Sequence, residues 1–279
     1  MGNGRPPLSL IINADDYGAG VNVNDGVVLA HRDGVVTSAS LMAGGAGFED
    51  AVRRLDDFPA LGVGVHLTLC AGPPVLNKGR APTLIGEGGR LPADAAAFGG
   101  RFIRGAIRLE DIRAELEAQV GRVRDAGINI THFDSHQHLH NLPGVADVVI
   151  ALARRFGVRA VRASRCRVWP PGRGWFARQL LLRVNAEAFM ATARRAGLKT
   201  PDGLLGQGEV GRLTPASILR DVTAIPAGVW ELLCHPATAN EPEDDAAMDR
   251  GGELATLTDE ALREGLRERG VRLLNFAAL

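Results

Sequence analysis

Residues 8–18 read LSLIINADDYG. The run Leu8–Asn13 is short, apolar and bounded by turn-forming residues, and two acids follow it at once. A run of that length reads as a buried strand. The chain beyond it alternates. Asn24–Asp33 reads as a helix, with Asn24 as its N-cap and Gly34 as its stop. Ser38–Met42 is a second strand, Phe48–Leu55 a second helix and Gly62–Leu67 a third strand. Leu109, Ile112, Leu116, Val120 and Val123 recur at helical spacing up to Gly127. Strands over Thr131–Asp134, Arg159–Ala163, Gly203–Gly206, Val229–Cys234 and Val271–Asn275 complete the set. Helices over Pro143–Phe156, Trp175–Ala196, Pro215–Ala224 and Asp259–Arg269 separate them.

About eight strands alternating with helices imply parallel pairing through right-handed crossovers. The expected fold is therefore α/β. A (β/α) barrel of the TIM-like kind, one domain over residues 1–279, fits best; an open doubly wound sheet is the alternative. Residues 70–108 are rich in Gly and Pro and read as a long excursion over one face. The length of 279 residues, 46% of them hydrophobic, suits a single domain of this kind.

The formal net charge is zero, which gives no reason to expect nucleic acid or an anionic membrane as a partner. No apolar run approaches the ~20 residues of a membrane span. The first residues lack the basic-then-apolar layout of a signal peptide. Cys70, Cys166 and Cys234 are far apart and form no C-x-x-C pair. A reducing, cytoplasmic setting is the expectation.

In a (β/α) barrel the chemistry sits at the C-terminal ends of the strands. The polar oddities of this chain fall there. Asp15 and Asp16 follow the first strand, His66 ends the third and Arg162 lies near the end of the fifth. His235 follows the seventh. The segment 131–140, THFDSHQHLH, holds Asp134 and four of the seven histidines at the end of the fourth. Two imidazoles and a carboxylate, as in Asp16, His66 and His136, form a three-ligand face for a divalent metal with open positions. Iron oxygenases and hydrolases both use that set. A neighbouring acid placed as general base and His235 as general acid favour hydrolysis.

The stretches NADDYG, GVVTSASLM, LGVGVHLTLCAGPPV, ELEAQV, THFDSHQHLH and ELLCHPAT resemble, in this order, the YdjC-type carbohydrate deacetylases. That family includes chitooligosaccharide deacetylases and a hopanoid-associated branch. The resemblance runs to the C-terminal RGVRLLNF. It implies a distorted (β/α) barrel, one divalent metal ion (magnesium or zinc), and removal of an acetyl group from an N-acetylated amino sugar. By position it implies Asp16, His66 and His136 as metal ligands, Asp15 as base, His235 as acid and Arg162 as the group that orients the base. Tyr17 stands where the family more often has Phe, which adds a hydroxyl expected near the metal. The segment 165–174 has no close counterpart. Hydrolysis of another bond, such as a phosphoester, and a sugar-binding barrel without turnover remain as alternatives, and a homodimer is one option for assembly.

Several residues have plainer readings. A mononuclear site has room for one or two imidazoles of the cluster, so His138 and His140, with Asp134, are expected to orient ligands or face substrate. His132 shares a strand face with Asp134 and reads equally as packing. His31 reads as surface. Cys234 is expected in the core, because it alternates with His235 along a strand. Trp169 and Trp175 read either as sugar-stacking groups or as fasteners of a loop.

Overall fold

The structure is a computed structural model that describes residues 8–166, 176–241, 244 and 246–279, with the backbone alone over 176–182. Its strands are β1 (Leu8–Tyr17), β2 (Ser38–Leu41), β3 (Gly62–Leu67), β4 (Ile130–Ser135), β5 (Ala160–Val161), β6 (Leu204–Leu205), β7 (Gly228–Cys234) and β8 (Arg272–Leu274). They pair in parallel in the order β5-β4-β3-β2-β1-β7-β6, and β8 pairs with the lower half of β1. The sheet curls until its ends nearly meet. Among the described residues, β5 and β6 are joined across the gap by the isolated bridges Ala160–Lys199 and Cys166–Leu204. This is a single-domain, distorted (β/α) barrel, as expected.

The helices are α1 (Val21–Arg32), α2 (Phe48–Arg54), α3 (Ala95–Ile103), α4 (Leu109–Asp125), α5 (Val145–Phe156), α6 (Phe176–Arg195), α7 (Pro215–Ala224), α8 (Arg250–Leu257) and α9 (Glu260–Glu268). No helix among the described residues is long and apolar enough to cross a membrane. Three details depart from the sequence reading. Asn24 is not a cap: α1 begins at Val21, and buried Asn24 accepts from the Gly18 N–H and donates to Gly47 O and Asp50. α8 was not anticipated, because Gly251 and Gly252 in its first turn argue against a helix. Asp249 compensates by capping the Gly252 N–H. The excursion 70–108 contains α3 and its own buried residues, including Leu84, Ile85 and Phe98.

Strand alternation divides the core into two zones. Leu10, Ile12, Val63, Val65, Leu232 and Cys234 belong to the large apolar layer between sheet and helices. The alternate positions face the barrel axis and are largely polar. They include Asn13, Ser40, His132, Asp134 and Glu231, all buried. The glycines of GVGVH make this filling possible. A Cβ on Gly64 would lie 2.4 Å from the His132 ring, so β3 leaves the space that the imidazole occupies. At the N-terminal end of the strands the chain's own end plugs the barrel. Phe276 stacks on His132 with ring centroids 3.7 Å apart, and its N–H donates to Ser38 Oγ.

Candidate active site

The site starts from an irregularity in β1. Asn13 and Ala14 pair with Ser38 and Ala39, but Tyr17 pairs with Leu41, so β1 carries one extra residue between Ala14 and Tyr17. Asp16 sits in this bulge with φ 63°, the left-handed region that a non-glycine residue occupies at a cost of order 1–3 kcal/mol. In a regular strand, neighbouring acids would point to opposite faces. The bulge instead lets both acids enter the mouth of the barrel, each toward a different set of partners.

Asp16 turns toward the two histidines. Its Oδ1 lies 3.1 Å from His136 Nδ1 and 3.4 Å from His66 Nε2. Its Oδ2 accepts from Arg250 at 2.9 Å. Asp16, His66 and His136 can each offer a ligand atom, all within 4.8 Å of one another. His66 and Asp16 are buried, and His136 is half-buried. The other ring nitrogen of His66 meets Asp134 Oδ1 at 2.9 Å. A carboxylate there fixes the imidazole's tautomer and leaves Nε2 to face Asp16. Burial pushes the His66 pKa down, but Asp134, Asp15 and Asp16 outweigh it and raise it to about 9. The carboxylate field that draws a proton to this ring also draws a cation to it. The residues present therefore fit a divalent metal.

Asp15 turns inward to Arg162, which holds both carboxylate oxygens, at 2.7 and 2.6 Å. Asn13 donates to Asp15 Oδ1 at 2.8 Å. Burial disfavours the ionised carboxylate, yet the charge and hydrogen bonds of Arg162 prevail and keep the Asp15 pKa below the usual range. Arg162 itself is fully buried and also serves Asp134 Oδ2 (2.9 Å) and Glu231 Oε1 (2.7 Å). Burial pushes Glu231 up to about 7, although Arg162 opposes this. A second donor group, Asp15, His66 and Asp134, shares His66 with the first, and Arg162 occupies both of its carboxylates.

His235 follows Cys234, whose register partner is Ala14, so it emerges beside Asp15. Its backbone N–H donates to Glu253 at 2.6 Å. Its Nδ1 is buried without a hydrogen-bond partner among the described residues, 3.9 Å from Glu253 Oε2. Cys234 is buried in the apolar core, as expected, and its Sγ donates to Asn13 O.

Other residues land differently. The Tyr17 hydroxyl, expected near the metal, donates to Ala51 O on α2 at 2.9 Å, because the bulge returns Tyr17 to the outer core. His138 and His140 lie close to the site, joined through Ser164. Burial, with the charges around them, lowers both to about 3, so both rings are neutral. His132 is fully buried and bonded to Ser40 Oγ, and burial lowers it likewise to about 3. His31 is half-buried, with Nδ1 against Val36 O and its edge on the Phe58 ring. Trp169 and Trp175 lie outside the described residues. Arg250 was missed. It arrives from α8, clamps Asp16 and is itself held by Asp244.

The YdjC-like protein family model matches residues 9–268. The chain belongs to the YdjC-like family. Among its relatives, a protein named carbohydrate deacetylase from Brevibacillus brevis is 35% identical, covering 98% of this chain and all of that one. A chitooligosaccharide deacetylase from Klebsiella pneumoniae is 32% identical over 95% of this chain and 96% of its own. The crystal structure of a putative cellobiose-phosphate cleavage protein from Enterococcus faecalis superposes with a TM-score of 0.80 at 27% identity, covering 98% of each chain. This YdjC-like chain thus shares nearly its whole length with these relatives.

Proposed function

We propose that this YdjC-like chain is a divalent-metal-dependent deacetylase that hydrolyses the acetamide of an N-acetylated amino sugar. The observation that carries the reading is the division of labour between adjacent acids. Asp16 faces His66 and His136, while Asp15 stands beside them on Arg162. The named activities of the full-length relatives support the substrate class. A bound magnesium or zinc ion supplies Lewis acidity, polarising the acetyl carbonyl and lowering the pKa of water.

The remaining chemistry belongs to side chains. Asp15 accepts the proton of the attacking water at a carboxylate oxygen. Arg162 keeps that carboxylate ionised and fixed in direction. His235, just past the neighbouring strand, donates a proton to the departing amine, which is otherwise a very poor leaving group. Asp134 keeps His66 in the tautomer that offers Nε2. Positioned proton transfer of this kind contributes roughly 10²–10⁴ in rate. Phosphoester hydrolysis commonly uses two metals about 3.5–4 Å apart. Here the second donor group shares His66 and is filled by Arg162, which favours one ion and amide hydrolysis. The buried thiols of Cys70 and Cys234 agree with a reducing, cytoplasmic setting. The test is release of free acetate from N-acetylglucosamine oligomers. Release that stops with chelator and returns with magnesium or zinc supports the reading. No release with either metal sinks it.

A further inference from the structure

His138 and His140 stand outside the ligand set, and the hydrogen bonds around them run in one direction. The His140 backbone N–H donates to Ser135 Oγ at 2.9 Å. The Nδ1 of the same histidine lies 2.6 Å from that oxygen. Ser135 is buried, and its hydroxyl has no other partner among the described residues. The buried hydroxyl hydrogen therefore goes to His140 Nδ1. A neutral imidazole carries one N–H, so an acceptor at Nδ1 places the hydrogen on Nε2. His140 Nε2–H then donates to Ser164 Oγ at 3.2 Å. Ser164 passes its own hydrogen to His138 Nδ1, also at 3.2 Å. By the same rule His138 carries its hydrogen on Nε2.

The chain of donors ends there. His138 Nε2 meets no hydrogen-bond partner among the described residues, and the ring is half-buried. The ring lies two residues past His136, whose Nδ1 meets Asp16 Oδ1 at 3.1 Å. The backbone is held in the left-handed region at Gln137 (φ 53°) and His138 (φ 57°). Such residues persist where the surroundings over-determine them, and they cluster at ligand sites. Gln137 Oε1 accepts the Ala95 N–H of the excursion, and Ser164 holds the His138 ring.

We propose that His138 is a fixed hydrogen-bond donor that binds an oxygen of the sugar, with its donor nitrogen set by the order Ser135, His140, Ser164. The nature of the ligand rests on the deacetylase reading; the direction of the donor chain does not. His138 touches the sugar and not the reacting carbonyl, so it contributes equally to ground and transition state and appears in KM.

Two measurements test this. Long-range proton–nitrogen NMR correlations on protein labelled at histidine should show His138 and His140 as Nε2–H tautomers, assigned by their loss in His138→Gln and His140→Gln. An Nδ1–H pattern at His138 overturns the proposal. With di-N-acetylchitobiose, His138→Leu should raise KM about tenfold or more while kcat stays within about threefold. His138→Gln, whose amide N–H reaches the place of Nε2, should keep KM within about threefold of the parent. An unchanged KM in His138→Leu also overturns it. Parent protein that releases no acetate refutes the deacetylase reading alone, because the tautomer pattern still decides the donor chain.

Discussion

Asp15 and Asp16 share a backbone segment and a charge, yet their carboxylates have different partners. Asp15 is bound by a guanidinium at both oxygens, whereas Asp16 divides its two between Arg250 and the histidine pair. Asp15→Asn should therefore lower kcat by about 10² or more while metal content stays near that of the parent. Asp16→Asn should lose metal and rate together. A metal assay on the two purified variants decides it, and the opposite pattern would mean that the roles are reversed. These acids were legible because both follow an apolar run. The bulge that separates them was not, since nothing in NADDYG marks the extra residue. Arg250 was illegible for another reason. Its neighbours Gly251 and Gly252 hide the helix that delivers it, and an isolated arginine reads as solvated.

At the scale of elements, α4 explains how the long excursion is held. Asp111, Glu115 and Gln119 are spaced by four, so they share one face of the helix, and all three are buried. They capture mainly loop backbone, with the Thr83 hydroxyl also donating to Asp111 at 2.6 Å. Glu115 accepts from Val75 N–H (2.7 Å) and Leu76 N–H (3.0 Å). Asp111 accepts from Thr83 N–H, and Gln119 bonds both the N–H and the carbonyl of Thr68. The apolar members of α4 were read correctly from Ile112 to Val123, but Leu109 is 40% exposed. Acids on a helix read as solvent-facing, and only the loop laid over them makes them interior. Glu115→Ala leaves two loop N–H groups unpaired, at about 1–3 kcal/mol each. It should lower the urea midpoint and raise KM for the sugar, since the excursion leaves β3 just past His66. Glu115→Gln, which keeps one acceptor oxygen, should recover part of both losses. If Glu115→Ala matches the parent in melting and kinetics, the excursion is not held in this way.

At the scale of the molecule, the barrel interior carries titratable groups where most such barrels carry Val, Ile and Leu, and stability follows pH accordingly. His132, His138 and His140 have folded pKa values near 3 against an ordinary 6.5. Over that interval the unfolded chain binds protons that the folded one refuses, so stability falls as pH drops below 6.5. Glu231, raised to about 7, and Glu253, also raised, act in the opposite sense above 4.5. Three histidines outnumber the two glutamates, so acidification between roughly 4.5 and 6.5 lowers stability. His66, raised to about 9, adds stability below 6.5 that is lost as pH rises toward 9 in metal-free protein. Urea midpoints of chelator-treated protein should thus peak near neutrality, and Glu231→Gln should steepen the acid limb. A profile that is flat from 4.5 to 6.5 would contradict this. The βα alternation was legible because parallel strands and their crossover helices differ in length and spacing. The seam between β5 and β6 was not, because it is made by single bridges at Ala160–Lys199 and Cys166–Leu204. Mechanically the barrel is a split ring. Its stiffest stave is β1, gripped by β2, β7 and β8, and that stave carries Asp15 and Asp16. The amides of Val161, Lys199 and Leu204 should exchange with deuterium well before those of β1 and β7. The two acids thus sit on the part of the ring that opens last.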